Sequence, residues 1–422
     1  MTASRGRVAI LTYGSRGDVE PFVALGHELR LAGHPVRIAA PGAFRSFVEG
    51  WGLEFVPIPG DPDELGHAFA ERAGLSLPRM VASMIRHVLP IAGAALRSVQ
   101  EAAGGADLIV HSFLMTDAGR TLARQQGVPD VSAQFFPIFV PTATFPAVAA
   151  PDLPFGGLYR RSTHVLNTAI FRYGGRLLYR RLRSTSPGLP ELARWPFSGP
   201  ASERPPILFA YSPSLLPPPP DWPPNATVTG YWRLPLPPAW SPPESLDRFL
   251  KSGPPPVYFG PGSMRSEAIH RLVPMLIDAA ASCGLRVVVG GSAEAIGRDF
   301  ASDQVIRVEG IPHQWLFPRM RYILHHGGAG TTGSAAAAGI PSSAIAFSAD
   351  QAFWARRIAR LGLGPGAPPA KTVTHADFGR LLEAVLKDSS YEQRARVMGE
   401  AIRKENGAGA ALAVIEACLG EG

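Results

Sequence analysis

The sequence predicts two α/β domains, each built on a mostly parallel β-sheet covered by helices on both faces. Three observations carry that expectation. Short apolar runs with strand character alternate with amphipathic stretches in both halves of the chain. A proline-dense stretch at residues 232–243 stops the local periodicity near mid-chain. The 422 residues also suffice for two separate hydrophobic cores.

In the first half, "RVAILTY", "PVRIAA", "LEFVPI" and "ADLIVHS" read as strands, with "VEPFVALGHELRLAG" and "TDAGRTLARQQG" as helices between them. The first strand runs into "TYGSRGDVEPFVAL", where Phe22, Leu25 and Leu29 recur at helical spacing. Gly14 and Gly17 supply permissive backbone between strand and helix, and Asp18 can cap the helix. The Arg16–Gly17–Asp18 triplet therefore sits where an open α/β sheet presents its strand ends to a ligand, and an adhesion role is the poorer reading. Residues 136–158, "FPIFVPTATFPAVAAPDLPFGGL", are rich in proline and aromatics. They read equally as a loop packed on the same domain or as the wall of a substrate pocket. "PILFAYS" and "ATVTGYW" are further strand candidates before the boundary.

Composition narrows the function classes. Hydrophobic residues make up 46% and charged residues 18%, which excludes a disordered chain. No apolar run has the length of a membrane span or of a secretory signal, so a cytoplasmic protein is expected, with peripheral membrane contact left open. The formal charge of +7 gathers only in residues 159–183. No nucleic-acid-binding module accompanies it, and its aromatics fit the buried stripe of a basic surface helix. Cys283 and Cys418 form no disulfide framework. No histidine pattern suggests a metal, the adjacent His325 and His326 included.

The second half repeats the architecture with "PPVYFGPGS", "GLRVVVGGS", "VIRVEG", "RYILHHGG" and "SSAIAF" as strand-led segments. Two loops stand out. "FGPGSM" brings the Ser263 hydroxyl beside two glycines. "LHHGGAGTTGSAAAAG" runs from a strand into a helix of small residues. Gly327, Gly328 and Gly330 permit close backbone approach there, and Thr331, Thr332 and the following amides can receive an anionic oxygen, with His326 as a further donor. The pattern looks like a diphosphate cradle. It is neither GxGxxG nor GxxxxGK[ST], which weakens dehydrogenase and ATPase readings.

These motifs, in this order, resemble the antibiotic- and sterol-type branch of the nucleotide-sugar-dependent glycosyltransferases. The resemblance rests on "TYGSRGDVEPFVAL" at the N-terminus, then "PPVYFGPGSM", "GIPHQWLFPRM", "LHHGGAGTTGSAAAAGIP" and "ADQAFWARRIARLGLGP", and it extends over nearly the whole chain. It implies a GT-B fold: two Rossmann-like domains facing across a cleft, with a C-terminal helix crossing back to the first. On that basis residues 1–235 form the acceptor-binding domain, 244–400 the nucleotide-sugar domain, and 401–422 the crossover segment.

The resemblance also assigns residues. Ser263, His326, Gly328, Gly330 and Thr331 would bind the donor pyrophosphate, and Ile311 and His313 the base or ribose. Asp350 and Gln351 match the pair that recognises sugar hydroxyls. Ser15 and Arg16 match residues that approach the phosphates, Gly17 permits the turn, and Asp18 matches the catalytic base. "GIPHQ" stands where many relatives begin the donor box with tryptophan, so stacking of an indole on the base is not implied. His111, at a strand end, is the alternative base; His27 and His34 read as surface or structural residues.

The implied activity is inverting transfer of a hexose from a UDP- or dTDP-sugar to a hydroxyl of a hydrophobic small molecule, such as a polyketide, macrolide or sterol. No cofactor or metal is implied. The alternatives are a nucleotide-sugar epimerase or hydrolase on a similar scaffold, and a noncatalytic nucleotide-sugar sensor. No motif specifies an oligomeric state.

Overall fold

A computed structural model of the protein describes residues 5–61, 77–185, 191–200, 203–262, 267–296 and 300–420. The chain divides into two compact units. The first comprises Met1–Pro213, Pro217–Leu234 and Asn406–Gly422; the second comprises Ser214–Leu216 and Pro235–Glu405.

The first unit holds a seven-stranded sheet of β1 (Val8–Leu11), β2 (Val36–Pro41), β3 (Glu54–Ile58), β4 (Leu108–His111), β5 (Asp130–Gln134), β6 (Ile207–Phe209) and β7 (Ala226–Val228). All its pairings are parallel, in the order 3-2-1-4-5-6-7. Its helices are α1 (Arg16–Leu31), α2 (Arg45–Glu49), α3 (Leu77–Ala103), α4 (Thr116–Gln126) and α5 (Gly156–Thr185). β1 reads as an unbroken apolar run because both of its faces are covered. Ala9 and Leu11, two residues apart, share one face and pack with Val99 and Ala102 of α3 and Leu122 of α4.

The second unit repeats the plan with β8 (Val257–Gly260), β9 (Val287–Gly290), β10 (Val305–Val308), β11 (Tyr322–His325) and β12 (Ser342–Ala344), ordered 10-9-8-11-12. Its helices are α6 (Glu244–Lys251), α7 (Glu267–Ser282), α8 (Ala293–Ile296), α9 (His313–Leu316), α10 (Ala329–Ala338), α11 (Ala349–Arg360), α12 (His375–Lys387) and α13 (Ser390–Arg403). Alternation along β8 builds two cores. Val257 and Phe259 pack with Leu272 of α7 and Phe378 of α12, while Tyr258 joins Leu316 and Phe317 on the other face.

The last helix, α14 (Gly407–Gly420), belongs to the first unit and packs on α1. His34 ties it down: Nδ1 lies 3.0 Å from the Gly6 carbonyl and Nε2 lies 3.5 Å from Glu416. At the start of α14 the fit is backbone against backbone. A Cβ on Gly407 would lie 2.5 Å from the Gly230 carbonyl carbon. Gly407→Ala is therefore expected to destabilise the protein by ~1–3 kcal/mol, the usual cost of overpacking, read as a lower denaturation midpoint.

Residues 136–158 divide: the first part packs, while Leu153, Phe155 and Leu158 are exposed. Ile138, Phe139, Val140, Phe145, Ala147 and Val148 are buried within the first unit. Thr142 and the Ala143 amide bond Asp221 at 2.6 and 2.9 Å. Phe139 takes a left-handed φ of 69°, uncommon for a residue with a side chain, and its ring packs against Phe171, Trp195 and Phe197.

Candidate active site

In sheets of this order, the point where the strand order reverses leaves a crevice at the carboxyl ends of the two central strands. In the first unit those strands are β1 and β4, with Leu11 paired to His111; in the second they are β8 and β11, with Gly260 paired to His325. The sequence motifs follow these four strand ends.

After β1, Gly14 adopts φ +145° and Ser15 caps α1. Asp18, third in the helix, folds its carboxylate back so that Oδ2 accepts from the Ser15 amide (2.9 Å) and hydroxyl (3.1 Å). A Cβ on Gly14 would lie 2.3 Å from that oxygen, so glycine is required for the carboxylate to sit there. This corrects the expectation for Gly17, which lies inside the first helical turn without a positive φ; Gly14 makes the turn. Arg16 is exposed, donates to Glu20 at 2.7 Å and stacks on Phe47.

After β4, His111 is wholly buried, its Nε2 3.1 Å from Asp130 Oδ2. Arg120 binds the other oxygen of Asp130. Burial pushes the Asp130 carboxyl up, but His111 and Arg120 outweigh it and hold it below the ordinary range. The His111 ring is thus committed to a buried ion-pair network. Asp117, which sequence reasoning passed over, is the titrating group of this region. Burial lifts its carboxyl to about 6, against the opposing pull of Arg176, His111 and Arg172.

A raised folded pKa means that the native state holds this proton while the unfolded chain loses it. Stability should fall as pH rises from about 4 to about 6. Asp117→Asn is expected to flatten that dependence and to be the more stable form at pH 8, by roughly 1–3 kcal/mol in urea titrations.

The second unit assembles the cradle. His326 follows β11, its amide 3.2 Å from the Gly260 carbonyl, and Gly327 N–H donates to His325 Nδ1 at 3.0 Å. The imidazole of His326 is walled by glycines. A Cβ on Gly262 would lie 2.5 Å from its Cε1, and one on Gly328 would lie 2.3 Å from its Nε2. Gly328 is also the N-cap of α10, whose first turn carries no acidic residue. The amides of that turn have no upstream helical carbonyl and are available to an anion. Gly330 and Thr331 lie in this turn, and a Cβ on Gly330 would meet nothing within 4 Å.

Burial lowers the His326 pKa, against opposing effects from the Gly260 carbonyl and the Asp350 carboxylate. The ring is therefore a neutral donor at neutral pH. His325 is fully buried and held neutral more strongly, by burial and then by the neighbouring His326 and His313.

Asp350 and Gln351 open α11. Asp350 is exposed and accepts from Ser348 Oγ at 2.6 Å. Gln351 is buried, with Oε1 receiving the Phe347 amide at 2.8 Å, so part of its function is to hold this turn. The turn adjoins the cradle, since a Cβ on Gly327 would lie 2.8 Å from the Gln351 carbonyl oxygen. Ile311 is half-buried and packs on the Tyr258–Phe317 core. His313 stacks on Phe317 at 4.2 Å and 13°, edge-on to Tyr258. Ser263 lies outside the described residues. Among the described residues, no group of three His, Cys, Asp or Glu side chains could hold a metal ion.

The chain is similar to known proteins over nearly all its length. Residues 8–106 match the glycosyltransferase family 28 N-terminal domain, and residues 275–411 match the erythromycin biosynthesis protein CIII-like C-terminal domain. The O-mycaminosyltylonolide 6-deoxyallosyltransferase of Streptomyces fradiae is 35% identical over 97% of each chain. A sterol 3-beta-glucosyltransferase of Yarrowia lipolytica is 31% identical over 96% of this chain, which spans 28% of that protein's length. The structure of the glycosyltransferase VinC in complex with dTDP shares the fold, with a TM-score of 0.65 and 19% identity over 99% of this chain and 100% of that one. The chain belongs to the antibiotic- and sterol-type branch of the GT-B glycosyltransferases, enzymes that transfer a hexose from a nucleoside-diphosphate sugar to a hydrophobic acceptor.

Proposed function

We propose that the protein is an inverting hexosyltransferase that uses a dTDP- or UDP-sugar and glycosylates a hydroxyl of a macrolide, other polyketide or sterol-like acceptor. The observation that carries this reading is the glycine-walled, neutral His326 beside the acid-free start of α10, which suits a diphosphate rather than a single carboxylate. The dTDP bound to VinC and the macrolide chemistry named for the S. fradiae enzyme support the nucleotide and acceptor classes. Ser263 and Thr331 would complete the phosphate contacts, with Ile311 and His313 at the nucleoside. Asp350 and Gln351 would hold sugar hydroxyls.

Asp18 supplies the base. As the acceptor oxygen attacks the anomeric carbon, its proton passes to the carboxylate. The bond from that carbon to the diphosphate oxygen breaks, and the nucleoside diphosphate leaves with the electron pair. One displacement inverts the anomeric centre and needs no covalent sugar–enzyme intermediate.

The test is incubation with dTDP- and UDP-hexoses and a panel of macrolide aglycones and sterols, followed by mass spectrometry and NMR. An acceptor heavier by one hexosyl or deoxyhexosyl group, with opposite anomeric configuration and matching nucleotide release, is expected. Saturable nucleotide-sugar binding with donors and acceptors unchanged would instead identify a sensor. Donor hydrolysis or epimerisation without acceptor gain would identify an enzyme of the sugar nucleotide alone.

A further inference from the structure

Helix α5 has a second apolar face that the first unit does not use. Its inner side is accounted for: Phe171 packs against Phe113 and Phe139, and His164 is buried with Nε2 2.9 Å from the Phe145 carbonyl. On the opposite side Leu158, Leu166, Ile170, Tyr173 and Leu177 stand 40–84% exposed, and Phe155 just before the helix is 68% exposed. The spacing from Leu166 to Leu177 is four, three and four residues, which keeps these side chains on one face. A contiguous exposed stripe of large apolar side chains marks a contact surface rather than ordinary scatter.

The charge of the helix selects the contact. Over its 30 residues α5 carries seven arginines and neither aspartate nor glutamate. Arg172 and Arg176 lie near enough to Asp117 to pull its carboxyl down, Arg172 over the Tyr173 ring and Arg176 donating to the Ala193 carbonyl. Arg180 and Arg181 follow Leu177 by three and four residues, so they continue the exposed face; among the described residues neither has a carboxylate partner. A second copy of α5 laid on this face would bring no carboxylate to these arginines, since the helix carries none. A negatively charged surface with an apolar interior satisfies both parts of the pattern: the leucines enter the acyl boundary, while the arginines extend to the headgroups. No helix among the described residues is long and apolar enough to cross a membrane, so the contact is one of lying on the surface.

We propose that the outer face of α5, from Phe155 to Arg181, docks the protein on anionic membrane surfaces. The stripe belongs to the first unit.

The experiment is vesicle co-sedimentation of the full chain without donor or acceptor, so its outcome is independent of the sugar-transfer reading. Phosphatidylcholine vesicles with and without phosphatidylglycerol are compared at rising salt. Binding to the anionic vesicles that weakens with salt is expected. Leu166→Ser with Leu177→Ser, and separately Arg180→Gln with Arg181→Gln, should each lower partition by roughly ten- to thirtyfold. All four positions are exposed, so unchanged thermal unfolding should confirm that both variants are folded. A Tyr173→Trp reporter should shift its emission to the blue on anionic vesicles and be quenched by brominated lipid. Three results would overturn the proposal: no sedimentation, equal sedimentation with neutral vesicles, or partition unaltered in both double variants. So would a dimer in light scattering that the same substitutions dissociate, since the stripe would then be covered by a second copy.

Discussion

Asp18→Asn is expected to lower single-turnover sugar transfer by ~10²–10⁴-fold, the usual span for a lost general base, while donor affinity stays near the parent value. The geometry makes this a clean substitution. The Asp18 oxygen that matters for the fold accepts two hydrogen bonds from Ser15, and an asparagine carbonyl in the same place can accept both. The cap of α1 therefore survives, and only the capacity to take a proton is lost. The deficit should be larger for an aliphatic alcohol than for a phenol, whose proton leaves more readily. His111→Gln supplies the counter-test. Because His111 is buried against Asp130, its loss should appear in the denaturation midpoint rather than in the chemical step. Near-parent transfer by Asp18→Asn with a severe chemical defect in folded His111→Gln would reverse the assignment.

The second large effect is expected at the cradle, where two glycines should fail for different reasons. Gly328 has an ordinary φ of −62°, so alanine is compatible with its backbone, but the new methyl would meet the His326 imidazole. Gly328→Ala should displace that ring and reduce donor affinity by one to two decades, equivalent to losing ~1.5–3 kcal/mol of hydrogen bonding to a charged group. Gly330→Ala meets no protein atom within 4 Å and improves helix propensity, so the ligand-free protein should be as stable as the parent or slightly more so. Its cost should emerge only when the donor is added, as a smaller ligand-induced rise in melting temperature. Calorimetric titration and thermal unfolding of both variants, with and without nucleotide sugar, separate the two. Parent affinity in Gly328→Ala would remove His326 from the donor site.

The features legible in the sequence share a physical origin: each is a local pattern whose structural meaning is fixed within a few residues. The strand ends at Leu11, Gly260 and His325 could be read because apolar runs stop there at glycine-rich turns. What escaped was long-range or compositionally disguised. β5 is "DVSAQ", and its Asp130 and Gln134 gave no strand signal; Asp130 is tolerated in the sheet because His111 and Arg120 neutralise it. The raised carboxyl of Asp117 reflects burial beside Gly175 of α5, set against the pull of Arg176 and Arg172 more than fifty residues downstream, so no window around it could reveal the net shift. Arg–Gly–Asp misled on which glycine turns the chain, because only backbone angles distinguish Gly14 from Gly17. α3 is not among the helices predicted from the sequence; Pro90 stands inside it, where a proline argues against an unbroken helix.

The seat of α14 has a consequence for the order in which the protein comes into being. The first unit is written in separate pieces, and its closing helix is encoded after all of Pro235–Glu405. During synthesis the ribosome completes the second unit's sequence while α1 still lacks the helix that covers it and His34 still lacks Glu416. The unit that carries His326 can thus mature on a nascent chain whose earlier unit stays unfinished until α14 emerges. Loss of α14 would therefore be felt in the unit that carries Asp18.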